Sequence, residues 1–125
     1  MNQATPDSTS IQEIMCRIVA QQNLRGIVYC EMTQEQKLTY ASHCAHALMV
    51  EGAELSSSWA FAPWKSTPVD RENIKREVVD CIFFLVNICG CFDIESSELM
   101  KTFEWVLKNN ARRMENGEHK SMESK

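Results

Sequence analysis

Glu51, Glu54, Glu77 and Asp80 form two acidic pairs, each spaced i, i+3, so both carboxylates of a pair leave one face of a helix. Both pairs interrupt apolar stripes. Leu48 and Leu55 lie one turn either side of Glu51, Ile74 and Cys81 flank Glu77, and Asp80 opens the run Cys81-Ile82-Phe83-Phe84-Leu85-Val86. Desolvating an ionised carboxylate costs several kcal/mol unless a cation or strong donors compensate it. Four such groups call for a cation, and hard oxygen ligands favour Mg²⁺, with Mn²⁺ able to substitute. If the two helices run antiparallel, Glu51 and Glu54 face Glu77 and Asp80. A divalent ion held there can bridge phosphate oxygens of a nucleoside triphosphate and lower the pKa of a water. A carboxylate not engaged by metal can then act as general base.

Other residues extend that chemistry or compete with it. Lys65, Lys108, Arg112 and Arg113 are candidate phosphate contacts, arginine being favoured for its fork of donors. Trp59, Phe61 and Trp64 crowd a segment with Pro63 and Pro68, and form either a base-stacking surface or an oligomer contact. Asn87, seven residues after Asp80 on the same stripe, either orients a ligand or fills a buried polar gap. The rival site is His43-Cys44-Ala45-His46 with Cys89-Gly90-Cys91, which offers nitrogen and sulfur for a structural zinc. That arrangement would suit a non-catalytic helical interaction protein.

Periodicity supplies the elements that must position these groups. Ser10-Ile11-Gln12-Glu13 has capping-box form and opens a first helix that ends near Asn23 to Gly26. Thr33-Gln34-Glu35-Gln36 opens a second, which reaches about Ser57 through Leu38, Ala41, Ala45, Leu48 and Leu55. A third is capped by Asp70 and stops at Gly90; being apolar nearly all round after Asp80, it is expected to be the most buried. Asp93 or Ser96 can cap a fourth, with acids in its first turn and Lys108, Arg112 and Arg113 near its end, matching the helix dipole. The expected architecture is an all-α bundle of four to five helices spanning residues 9–114, with mobile tails at 1–8 and 115–125.

Composition bounds the setting. A chain of 125 residues holds one core, and its formal charge of −4 argues against wrapping a nucleic-acid polymer. No stretch reaches the roughly 18 to 20 apolar residues needed to span a bilayer. The polar opening MNQATPDSTS has no secretion-signal character, so a reducing cytoplasm is expected, with the six cysteines as thiols.

Taken in order, Glu51-Gly52-Ala53-Glu54-Leu55, Pro63-Trp64-Lys65, Glu77-Val78-Val79-Asp80 and Lys108-Asn109-Asn110-Ala111-Arg112-Arg113 resemble the all-α nucleoside triphosphate pyrophosphatases. These include MazG-like enzymes, dCTP pyrophosphatases and the dimeric dUTPases of phages and trypanosomatids, and the resemblance covers about residues 10–117. It implies hydrolysis of an α–β phosphoanhydride to a nucleoside monophosphate and pyrophosphate, with Mg²⁺ held by Glu51, Glu54, Glu77 and Asp80. Lys108, Asn109 or Asn110, and Arg113 would contact phosphates. Gln21, Gln22 and Asn23, with aromatics of the Trp59 to Trp64 segment, would hold base and sugar. Members are generally homodimers or homotetramers whose active-site bundle a neighbouring subunit completes.

Two departures bear on the base. Ile82-Phe83-Phe84 stands where the dUTPase branch commonly has histidine, and Glu118 follows Asn116-Gly117 where a tyrosine is expected. The reading is a Mg²⁺-dependent pyrophosphatase of dUTP or dCTP, with a purine nucleotide such as dGTP as the alternative substrate.

Overall fold

A computed structural model of the protein describes residues 8–59 and 68–117. Among these residues there are four α-helices, one 3-10 turn and no strand: α1 (Ser8–Leu24), the turn Tyr29–Glu31, α2 (Gln34–Ser56), α3 (Arg71–Cys91) and α4 (Ser96–Glu115). The protein is all-α, as the periodicity predicts. The helices fall into two compact units. One is Ile14–Ile94, with most of α1, the turn, α2 and α3; the other joins Glu95–Lys125 to Met1–Glu13.

Local signals set the helix ends. Thr33 caps α2 in a full capping box, its hydroxyl accepting from the Gln36 amide at 3.1 Å while the Gln36 side chain accepts from the Thr33 amide at 2.8 Å. Asp70 caps α3 by accepting from the Asn73 amide at 3.0 Å. α4 differs from expectation, since neither Asp93 nor Ser96 is the cap. Asp93 turns the chain with a φ of 54°, and Glu95 forms the capping box with Glu98. α3 also runs one residue past Gly90, to Cys91.

α2 and α3 pack antiparallel. At one end the Asp70 amide donates to the Ser58 carbonyl at 3.1 Å and Asn73 Nδ2 donates to Ser58 Oγ at 2.7 Å. At the other, Lys37 Nζ lies 3.9 Å from Asp93 Oδ2. Between those ends Tyr29, Ala41 and Cys91 make a small core, with Val19, Ile27, Met32 and Tyr40 around it. Gly90 is needed here because a Cβ would collide with the Tyr29 ring. α3 is buried on one side only: Val86, Asn87 and Cys91 are covered, whereas Val78, Val79 and Leu85 are exposed. Its apolar run circles the helix, and α2 can cover a single face.

Candidate metal centre

The antiparallel pairing places the C-terminal half of α2 beside the N-terminal half of α3, and so carries one acidic pair to the other. Glu51, Glu77 and Asp80 each offer a carboxylate oxygen within 4.8 Å of the others. Glu51 and Glu77 are half-buried and Asp80 is exposed. Oε2 of Glu51 and Oε2 of Glu77 are both inaccessible and have no hydrogen-bond partner. Two buried acceptors without donors are what a cation would satisfy.

The electrostatics agree with the geometry. The Glu51 carboxyl is pushed up to about 7, first because it shares a proton with Glu77, then through desolvation and the like charges of Glu54, Glu77 and Asp80. The Cys81 thiol is raised as well, by burial first and then by Glu51, Glu77 and Asp80. Without a cation the cluster retains a proton that it would release to bind one. The donor set is entirely carboxylate, which fits a hard divalent ion such as Mg²⁺ or Mn²⁺.

Glu54 stands apart from this trio. It follows Glu51 by one turn but is exposed and lies outside the three-carboxylate group. The rival zinc set does not assemble: His43 and His46 are both exposed, and the one metal-competent group among the described residues contains no histidine or cysteine. All six cysteines are free thiols, and of these Cys44 and Cys91 are buried.

The remaining candidates separate by location. Gln22 is buried and donates from Nε2 to the Tyr40 hydroxyl at 2.9 Å. Asn87 is 2% exposed and accepts at Oδ1 from the Tyr29 hydroxyl at 2.7 Å. Burial pushes both phenols up, Tyr40 to about 12, so each stays protonated. These two amides therefore support the interior; Asn87 fills the buried polar gap. Gln21 has a different setting. It lines a cleft of about 710 Å³ with Arg17, Ile18, Leu24, Val79 and Phe83, between α1 and the segment of α3 that carries Asp80. Asn23 and Trp59 are exposed, while Trp64 and Lys65 lie outside the described residues.

Reading residue types alone missed Arg17 and Phe83. The available signal was the i, i+4, i+7 spacing of Arg17, Gln21 and Leu24, matched by Val79 and Phe83 at i, i+4. On α4, helical rotation of about 100° per residue groups Lys108, Asn109 and Arg112 on one face, sets Arg113 at its edge about 40° beyond Asn109, and turns Asn110 away from it. Arg112 Nη2 donates to Asn109 Oδ1 at 3.2 Å within that face.

No helix among the described residues is long and apolar enough to cross a membrane. The family model described as dUTPase aligns with residues 13–122, a span that includes both acidic pairs and all of α4. No curated protein and no solved structure shows significant similarity to the chain.

Proposed function

The chain belongs to the dUTPase family and is a nucleoside triphosphate pyrophosphohydrolase; from that premise we propose that it cleaves dUTP to dUMP and pyrophosphate with Mg²⁺ as cofactor. The observation that carries the reading is the convergence of Glu51, Glu77 and Asp80 within 4.8 Å, with two buried carboxylate oxygens lacking donors. These three residues would hold the cation, with Mn²⁺ able to replace it. Such an ion would supply positive charge to offset the negative charge that develops on the phosphates during displacement. Glu54, exposed one turn beyond Glu51, would accept the proton of the attacking water. The α–β anhydride then breaks, the water oxygen staying with one phosphoryl group and the bridging oxygen leaving with the other.

Lys108, Asn109 and Arg112 share a polar face suited to phosphate, and Gln21 with the apolar wall of the α1–α3 cleft suits a base and its sugar. Ile82 and Phe83 give that cleft apolar walls against which a base would pack. We place the enzyme in the cytoplasm as a homo-oligomer acting on the nucleotide pool. The test is incubation with Mg²⁺ and each of dUTP, dCTP, dTTP and dGTP, followed by detection of pyrophosphate. Release from dUTP above the others is expected. A preference for dCTP or dGTP would reassign the base, and no release from any would sink the site assignment.

A further inference from the structure

Ser58 joins α2 to α3 through three of its atoms. Its amide donates to the Leu55 carbonyl at 3.0 Å, which ties it to the last turn of α2; its carbonyl accepts from the Asp70 amide at 3.1 Å, and its Oγ accepts from Asn73 Nδ2 at 2.7 Å. Ser58 is 4% exposed and Asn73 is half-buried. Hydrogen bonds shielded from water are strong, and a buried group that loses its partner is penalised. At the opposite end of the helix pair, Lys37 and Asp93 approach only to 3.9 Å with Asp93 open to solvent, a contact that fixes little.

The carboxylates are placed by distance from that junction. Glu51 lies seven residues back along α2 from Ser58, and Glu77 and Asp80 lie four and seven residues forward along α3 from Asn73. Steps of four and seven return to one helical face, and seven residues advance about 10 Å on either helix. Equal runs from a shared origin bring Glu51 level with Asp80. A slip of one residue would move a carboxylate by about 1.5 Å and turn it by about 100°. Mg²⁺ tolerates no such error, since it demands oxygens at about 2.0–2.1 Å in near-octahedral order.

We infer that Ser58 and Asn73 are positioning residues for the metal centre: their side-chain hydrogen bond sets the α2–α3 register that brings Glu51 to Glu77 and Asp80. The inference rests on the reading of that trio as a cation site. Both residues act through the carboxylates rather than on the cation. Removing their bond leaves all three carboxylates present but frees the helix ends to shift, so the loss falls on cation affinity.

Calorimetric titration of the full chain with Mn²⁺, at a temperature where circular dichroism shows every variant folded, tests it. Ser58→Ala and Asn73→Ala are each expected to raise the Mn²⁺ dissociation constant about tenfold, the scale that follows loss of groups orienting metal ligands. Asn73→Ala keeps the backbone amide from which Asp70 accepts, so the α3 cap survives. The double variant should bind no more weakly than the weaker single, because both changes remove the same bond. Thr33→Ala, which destabilises α2 at its far end, should leave Mn²⁺ affinity unchanged, and Glu51→Gln should abolish the binding being titrated. Unchanged affinity in both single variants overturns the inference and leaves the metal centre standing. So does additive weakening in the double variant, or a loss in Thr33→Ala as large as that in Ser58→Ala. A wild type that binds no Mn²⁺, or a Glu51→Gln protein that binds it equally well, removes the metal centre and the inference with it.

Discussion

Between α2 and α3, charged and polar atoms are drawn inward: one carboxylate oxygen each of Glu51 and Glu77 is shut off from solvent, and Tyr29 and Asn87 hydrogen-bond to one another in the interior. Along α4, apolar side chains are turned outward instead, with Phe103, Trp105 and Leu107 each at least half exposed. The helices are of similar length, so the difference does not come from propensity. The α2–α3 pair gives up some stability to hold reactive charge, whereas α4 holds a capacity for contact. Both states are costly, the first because buried carboxylate oxygens lack donors and the second because apolar surface faces water.

The largest expected effect tests the inward half of that contrast. Glu51→Gln and Asp80→Asn each remove one oxygen charge from the trio, and each should lower dUTP turnover by about a thousandfold or more, the scale expected for loss of a metal-assisted step. Helical content should be unchanged. In the metal-free protein Glu51→Gln should melt at a higher temperature at alkaline pH, because it also removes the repulsion. Full activity in either variant would mean that the cation sits elsewhere. A fall in metal-free stability would mean that the cluster supports the fold rather than straining it.

The next largest effect concerns packing between the same helices. Gly90→Ala pushes a methyl group into the Tyr29 ring and should cost about 1–3 kcal/mol by overpacking. Gly52, in the acidic turn of α2, has nothing within 4 Å of a Cβ. Gly52→Ala should therefore raise stability by about 0.5–1 kcal/mol, the helix-propensity difference. Urea denaturation of the two variants reads both signs. If Gly90→Ala proves neutral, the close approach of Tyr29 to α3 is not what limits their spacing.

Much of the α2–α3 site was legible in the sequence because its determinants are local. Two i, i+3 pairs specify helical faces, and the Thr33 and Asp70 caps fix the phase of the helices that carry them. A connection of about a dozen residues allows the antiparallel turn-back without dictating it. What was not legible depended on side-chain partners far apart in the chain. Gln22 and Asn87 look like base readers until Tyr40 and Tyr29, 18 and 58 residues away, claim them. Arg17 and Phe83 carry no motif, and their cleft exists only once α1 lies beside α3. Glu54 shares the spacing of Glu51, but a one-turn rise separates it from the trio, which spacing alone does not reveal.

A smaller effect links pH to the cation. Glu51 keeps its proton in the fold up to about pH 7, against an ordinary value of 4.5. Below 4.5 both folded and unfolded chains are protonated there, and the fold loses nothing. As pH rises from 4.5 to 7 the unfolded chain ionises while the folded one resists, so metal-free stability falls across that window and levels off above it. Mg²⁺ held by this cluster would take the place of the proton, so the gain in melting temperature on adding Mg²⁺ should grow with pH through the same range. Thermal melts with Mg²⁺ and with a chelator, at pH 5, 6, 7 and 8, measure it. A Mg²⁺ gain that is constant with pH would separate Glu51 from the metal.

The smallest expected effect separates the two regions most directly. Thr33 and Glu95 occupy equivalent positions, each closing a capping box at the start of a helix. Thr33→Ala removes a cap from a helix whose face is packed against α3, so the loss of about 1 kcal/mol should be felt by the whole Ile14–Ile94 unit. Glu95→Ala removes a comparable cap from a helix with no buried residue, and the loss should remain within its first turns. Amide hydrogen exchange distinguishes them. Thr33→Ala should speed exchange in α2 and in α3 together, whereas Glu95→Ala should speed it near Leu99 and leave α3 untouched. If Glu95→Ala instead loosens the amides around Asn87, α4 is bound into the same cooperative unit as the metal centre, and the contrast between an inward and an outward region is one of surface chemistry alone.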